Sequence, residues 1–256
     1  MGFVLDCETE ESTERSLSAA FRCMPEDLYD VFDSLDLDLI YASAESPDEE
    51  PNKYLLERLS DELNRPELPE QVSWFHFTRT LPGNEFTEGL LPLGEVLPQI
   101  WKLLIDTAPS AEIARELQSM QKNGVSDFQY NLKAPDSFHW GPFAYLVPAI
   151  ALHSQSLSQH DYLAMPEIVE DICNGLNEST GFQLFDHFRE LLKPCIVKFV
   201  KNADDRGQDT LETACAYLYG CRKREGPSSS WITCFDAGGE TISASAIASV
   251  RFLTSL

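Results

Sequence analysis

SWFHFTRTLPGNEFTEGLLPL, residues 73–93, begins in the pattern of a strand and ends in the pattern of a turn. With Gln71 and Val72 in front, the run QVSWFHFTRT is dense in aromatic and β-branched side chains, the composition of a pleated, half-buried surface. Successive side chains on a strand point to opposite faces, so His76 and Thr78 share one face and Phe77 and Arg79 the other. His and Thr each offer donor and acceptor capacity, and such a pair can hold a sugar hydroxyl or an amide. Phe75 and Phe77 pack the opposite face. The spacing suits a second reading as well, in which His76 is a satisfied core histidine and Arg79 a surface charge.

Outward from this stretch, hydrophobic period separates strands from helices. It predicts strands at 72–80, 195–201, 231–236 and 248–253, and helices near 53–64, 110–122, 166–176 and 209–222. Pro25 opens a further helix, with Glu26 and Asp27 in its first turn and Leu28, Val31, Phe32 and Leu35 along one face. FHWGPFAYLVPAIAL, 138–152, carries Gly and Pro among its apolar residues and reads as strand and turn. WITCFD, AGGE and SAIASVRFL read as strand, turn and last strand. Strands and helices do not alternate as βαβ units. The expected class is therefore α+β: a mixed sheet core over 71–256, preceded by an acidic helical region over 1–70.

The formal net charge is −23, from 42 acidic and 19 basic residues. Residues 1–70 hold 20 Asp or Glu against 5 Lys or Arg. Such a chain is repelled by nucleic acid at long range. The charge serves solubility, or it addresses a basic partner. RKREG, 222–226, is a small basic cluster that suits the C-terminal end of a helix. The 7 cysteines are widely spaced with no Cys-x-x-Cys, which fits reduced thiols in a cytosol. No apolar run reaches the roughly 20 residues that span a bilayer, and the first residues lack the basic-then-apolar order of a signal peptide. Gly-rich phosphate loops and a Gly-x-Ser-x-Gly elbow are absent from the sequence. His153 and His160 lack the companions of a metal site, and no metal is expected.

The order strand, HFTR, loop, then F-x-x-GLLPL resembles the opening of the ADP-ribosyltransferase fold, in the branch of diphtheria-toxin-like enzymes and bacterial toxins that modify DNA or RNA. The resemblance implies an α+β core of that type and NAD as substrate. It implies that His76 contacts the ribose of NAD, followed by Thr78, with Arg79 and the turn Gly89-Leu90 beside it. The family's second motif, a Tyr or Ser near the nicotinamide, falls on Tyr145 or Ser137 in SFHWGPFAYLV. Its third, a Glu at a late strand that stabilises the oxocarbenium formed as nicotinamide leaves, falls on Glu240, with Asp236 as second candidate. A carboxylate suits that task because its charge opposes the charge of the transition state. The catalytic pair is then Glu240 and His76. The Glu-x-Glu pair and the Ser-Thr-Ser strand of arginine-modifying members are missing, which disfavours a protein arginine as acceptor. The implied protein is a cytoplasmic transferase, a toxin or defence effector, acting on a macromolecule and independent of a membrane. The rival reading is a non-enzymatic acidic protein, an inhibitor or nucleic-acid mimic, whose 1–70 face meets a basic partner.

Overall fold

The structure, a computed structural model, describes residues 2–254. It is α+β. Among the described residues the sheet has six strands: β1 (Val4–Leu5), β2 (Gln71–Thr80), β3 (Phe143–Tyr145), β4 (Lys193–Asn202), β5 (Cys234–Asp236) and β6 (Ile247–Phe252). Their order is β5-β3-β2-β4-β6, with β1 parallel to the start of β2. β3 runs antiparallel to β2 and pairs Tyr145 with Phe75. The two ten-residue strands β2 and β4 have the same burial sequence up to their last residue, deeply buried in their first halves and more exposed in their second.

The chain forms two compact units. The first takes Met1–Phe75, Tyr145–Leu157 and Phe199–Cys234; the second takes His76–Ala144, Ser158–Lys198 and Phe235–Leu256. A cut near residue 70, expected from the fall in acidity, does not describe this grouping. Acidity marks the solvent face of the first helices. Their apolar faces need a partner that lies much later in the chain.

That partner is α10 (Gly207–Lys223). Leu211, Ala214, Cys215 and Leu218 are fully buried, and Thr210 and Thr213 join them, so the helix is enclosed on nearly every side. Against it in the first unit pack α1 (Glu10–Phe21), α2 (Pro25–Ser34) and α4 (Pro51–Glu62), while α3 (Leu37–Tyr41) is a short exposed turn. A Cβ on Gly220 would stand 2.6 Å from the Trp231 ring, so glycine makes room for the indole. Arg222, in the basic cluster, is held by Asp33 of α2 at 2.9 and 2.5 Å. The 231–236 strand is shorter than expected. A 3₁₀ turn, Ser229–Trp231, consumes its start.

The second unit has its own core. α5 (Leu93–Asp106), α6 (Ala111–Asn123), α8 (Glu167–Thr180) and α9 (Phe185–Leu191) bury Leu104, Leu117, Ile172, Leu176 and Phe188 together. Ser110 caps α6 through the Ile113 amide, as its sequence dictates. α7 (Phe128–Lys133) is a single short helix followed by a 3₁₀ turn, Ser137–His139. Lys133 reaches Glu167 and Asp171, one turn apart on α8, at 2.9 Å each. No helix among the described residues is long and apolar enough to cross a membrane.

Candidate functional site

β2 brings His76 and Thr78 into the second unit on one face. His76 is half-buried, and its Nδ1 lies 2.8 Å from the carbonyl oxygen of Phe143. A carbonyl only accepts, so Nδ1 carries the proton and donates. In the neutral ring Nε2 is then left as an acceptor. Burial pulls the imidazole below its ordinary pKa, and the bond to Phe143 works the other way without cancelling it. The neutral ring is therefore the resting form at pH 7. Thr78 is half-buried two residues further along.

After β2 the chain loops to Gly89. Its φ is +87°, and a Cβ there would stand 2.1 Å from the carbonyl oxygen of Ile242. Only glycine meets both conditions. The close approach lets Leu90 and Ile242 exchange two hydrogen bonds of 2.9 Å. The Gly-Leu turn is thus stitched to the chain two residues beyond Glu240.

Glu240 closes a tight turn. Gly238 and Gly239 have φ of +62° and +85°, and the Glu240 amide donates to the Ala237 carbonyl at 3.1 Å. Two successive positive φ values make this a type I′ turn. Asp236 braces it by accepting from the Gly238 amide at 2.8 Å. The Glu240 side chain is exposed. The turn lies against residues 141–142: the Ala237 amide donates to the Pro142 carbonyl at 3.1 Å, and the Gly239 amide to that of Gly141 at 2.9 Å.

Three consecutive carbonyls, of Gly141, Pro142 and Phe143, therefore receive the Glu240 turn and His76. Residues 76, 89–90 and 236–240, far apart in sequence, belong to one hydrogen-bonded assembly within the second unit. Ser137 lies beside it, its carbonyl 3.7 Å from where a Gly239 Cβ would be.

Two expected ligand contacts fall elsewhere. Tyr145 is 9% exposed and pairs with Phe75, so it shares the Phe75 face, opposite to His76 and Thr78. It is a core residue and offers no open ring to a nicotinamide. Arg79 is committed to the backbone: its guanidinium donates to the carbonyls of Leu192 at 3.1 and 2.8 Å, of Arg189 and of Leu163. Those of Arg189 and Leu192 lie at the C-terminal end of α9, where helical carbonyls lack partners. Arg79 is a clamp. Sequence reasoning missed the 141–143 carbonyls, for which no side-chain signal exists. It also missed the exposure of the Phe143 ring beside them.

Comparison with family models, with curated proteins and with solved structures finds no match for this chain.

Proposed function

We propose that this chain is an ADP-ribosyltransferase that takes ADP-ribose from NAD and passes it to a macromolecular acceptor in a reducing cytosol. The observation that carries the reading is the common attachment of His76 and the Glu240 turn to the carbonyls of residues 141–143. The Leu90–Ile242 exchange supports it, because it ties in the third element of the resemblance. All seven cysteines are free thiols, which suits the compartment.

In this reading nicotinamide leaves with the electron pair of its glycosidic bond. The ribose carbon becomes cationic, and an acceptor nucleophile closes the new bond and releases its proton. Neutral His76 accepts a hydrogen bond from a ribose hydroxyl at Nε2. Thr78, on the same face, adds a second polar contact. Glu240 supplies the charge that opposes the cation, an effect confined to the transition state. Tyr145 and Arg79 have no part in it.

The test is nicotinamide release from NAD by the full chain, by Glu240→Gln and by His76→Ala. Loss of one transition-state charge costs roughly 100- to 1000-fold in rate. Glu240→Gln should lower turnover by about that factor and leave NAD affinity nearly unchanged. His76→Ala should weaken affinity. If the wild type releases no nicotinamide, the transferase reading is wrong and the acidic-partner reading takes its place. If Glu240→Gln turns over normally, the charge comes from another carboxylate, with Asp236 the first to replace.

A further inference from the structure

Exposed apolar side chains are not spread evenly. Of the ten large ones among the described residues, four lie between 128 and 143: Phe128 at 76%, Leu132 at 42%, Phe138 at 77% and Phe143 at 41%. These include every exposed phenylalanine. Phe128 and Leu132 stand one turn apart on α7, hence on one face. α7 packs against the 3₁₀ turn that carries Phe138. The rings are presented by a fixed backbone. Asp127 caps α7 through the Tyr130 amide, Asp136 caps the 3₁₀ turn through the Phe138 amide, and the Trp140 indole donates to the Ala134 carbonyl at 3.2 Å. Isolated exposed apolar residues need no explanation, but four of them on one short, braced stretch of chain point to a contact surface.

The surrounding charge says what kind of contact. Residues 126–143 contain one Lys or Arg, Lys133, and its side chain is 15% exposed and spent on Glu167 and Asp171. The exposed charges of this stretch and of the turn bonded to it are negative, Asp136 within the stretch and Asp236 and Glu240 on the turn bonded to residues 141–142, with the half-buried Asp127 at the α7 cap beside them. An anionic partner is repelled here. So is a second copy of a chain with net charge −23.

We propose that the surface of Phe128, Leu132, Phe138 and Phe143 docks a polypeptide segment that combines apolar side chains with lysines or arginines. The apolar side chains of the segment cover the rings, and its cations meet the carboxylates and stack on aromatic faces. On the transferase reading this segment belongs to the acceptor protein and is held beside the Glu240 turn. That last link rests on the proposed function, whereas the docking itself does not.

The probe is a labelled peptide alternating Lys with Leu and Phe, read by fluorescence anisotropy against the full chain. Its Glu-for-Lys counterpart, a single-stranded oligonucleotide and vesicles of anionic lipid are the comparisons. The expected result is binding of the Lys peptide alone. It should weaken about tenfold or more in Phe128→Ser and in Phe138→Ser, and again as salt rises from about 50 to about 500 mM. Both rings are exposed, so these variants keep the fold. Equal binding of the Glu peptide, the oligonucleotide or the vesicles overturns the proposal. Undiminished binding in both variants does the same, as does a concentration-dependent dimer that Phe128→Ser dissolves. Repeating the assay with Glu240→Gln separates this idea from the enzymatic one, since docking loses there only the share of one of the four carboxylates while nicotinamide release falls roughly 100- to 1000-fold. In the transferase assay, Phe128→Ser should retain nicotinamide release to water while losing transfer to protein.

Discussion

Replacing Gly89 by alanine tests the stitching of the site directly, because the chain carries its own control. Gly83 and Gly89 have nearly the same φ, +84° and +87°. Around a Cβ on Gly83 there is nothing within 4 Å; a Cβ on Gly89 would stand 2.1 Å from the Ile242 carbonyl oxygen. Gly83→Ala therefore bears only the left-handed conformation, about 1–2 kcal/mol. Gly89→Ala bears that and a clash with main chain that no rotamer change relieves. The clash must part Leu90 from Ile242, whose two hydrogen bonds contribute about 0.5–1.5 kcal/mol each. The expected loss is roughly 3–5 kcal/mol, a fall in melting temperature on the order of 10 °C against a few degrees for the control. Thermal melts by circular dichroism measure both. Amide exchange adds a local reading, with the Leu90 and Ile242 amides slow in wild type and in Gly83→Ala but fast in Gly89→Ala. Equal losses in the two variants, or protected amides in Gly89→Ala, would refute the close approach and with it the coupling of the turn to Glu240.

Arg79→Lys keeps the charge but not the fork, and it abandons most of the carbonyls of Leu163, Arg189 and Leu192. Urea unfolding should show a loss of about 3 kcal/mol, and on the proposed transferase reading NAD affinity should be unaltered; the reverse outcome would return Arg79 to the ligand. His76, held below its ordinary pKa, stays neutral while the unfolded chain takes up a proton, so stability should fall as pH drops below about 6.5. His76→Gln should flatten that slope, and an ordinary pKa for His76 by NMR titration would contradict it. Lys133→Met leaves Glu167 and Asp171 without their shared cation, and Asp171 is already raised by burial. It should cost about 3–5 kcal/mol at pH 7, measured by urea unfolding, and less in acid, where the raised Asp171 becomes neutral at little expense. A cost independent of pH would show that the pair matters for shape alone.

The long strands and helices were legible because each carries its period in full. β2 and β4 run Gln71–Thr80 and Lys193–Asn202 against expected 72–80 and 195–201, and α6 begins at its serine cap. β1 was not, since Val4–Leu5 is too short to show any period and exists through its pairing with Gln71 and Val72. Within the site, the turn at Gly238-Gly239 announces itself by its glycines. The face of Tyr145 depends on the Phe75 register, and a shift of one residue would reverse it, so local pattern could not fix it. The anchoring of Arg79 was illegible for a related reason: its partners are carbonyls more than 80 positions away, and carbonyls leave no mark on a sequence.

The enclosure of α10 also imposes a timetable. The helices that surround it in the first unit end at Glu62, and α10 is complete only at Lys223, about 160 residues later. At typical synthesis rates of roughly 5–20 residues per second, a growing chain carries α1, α2 and α4 for on the order of ten seconds before their central partner leaves the ribosome. Throughout that interval Leu17, Phe21, Phe32 and Leu59, all fully buried in the finished protein, lack the surface they are shaped for. The dense carboxylates on the same helices keep such a waiting segment apart from its copies on neighbouring ribosomes. The acidity of residues 1–70 thus has a use before the protein is complete, independent of any partner it meets afterwards.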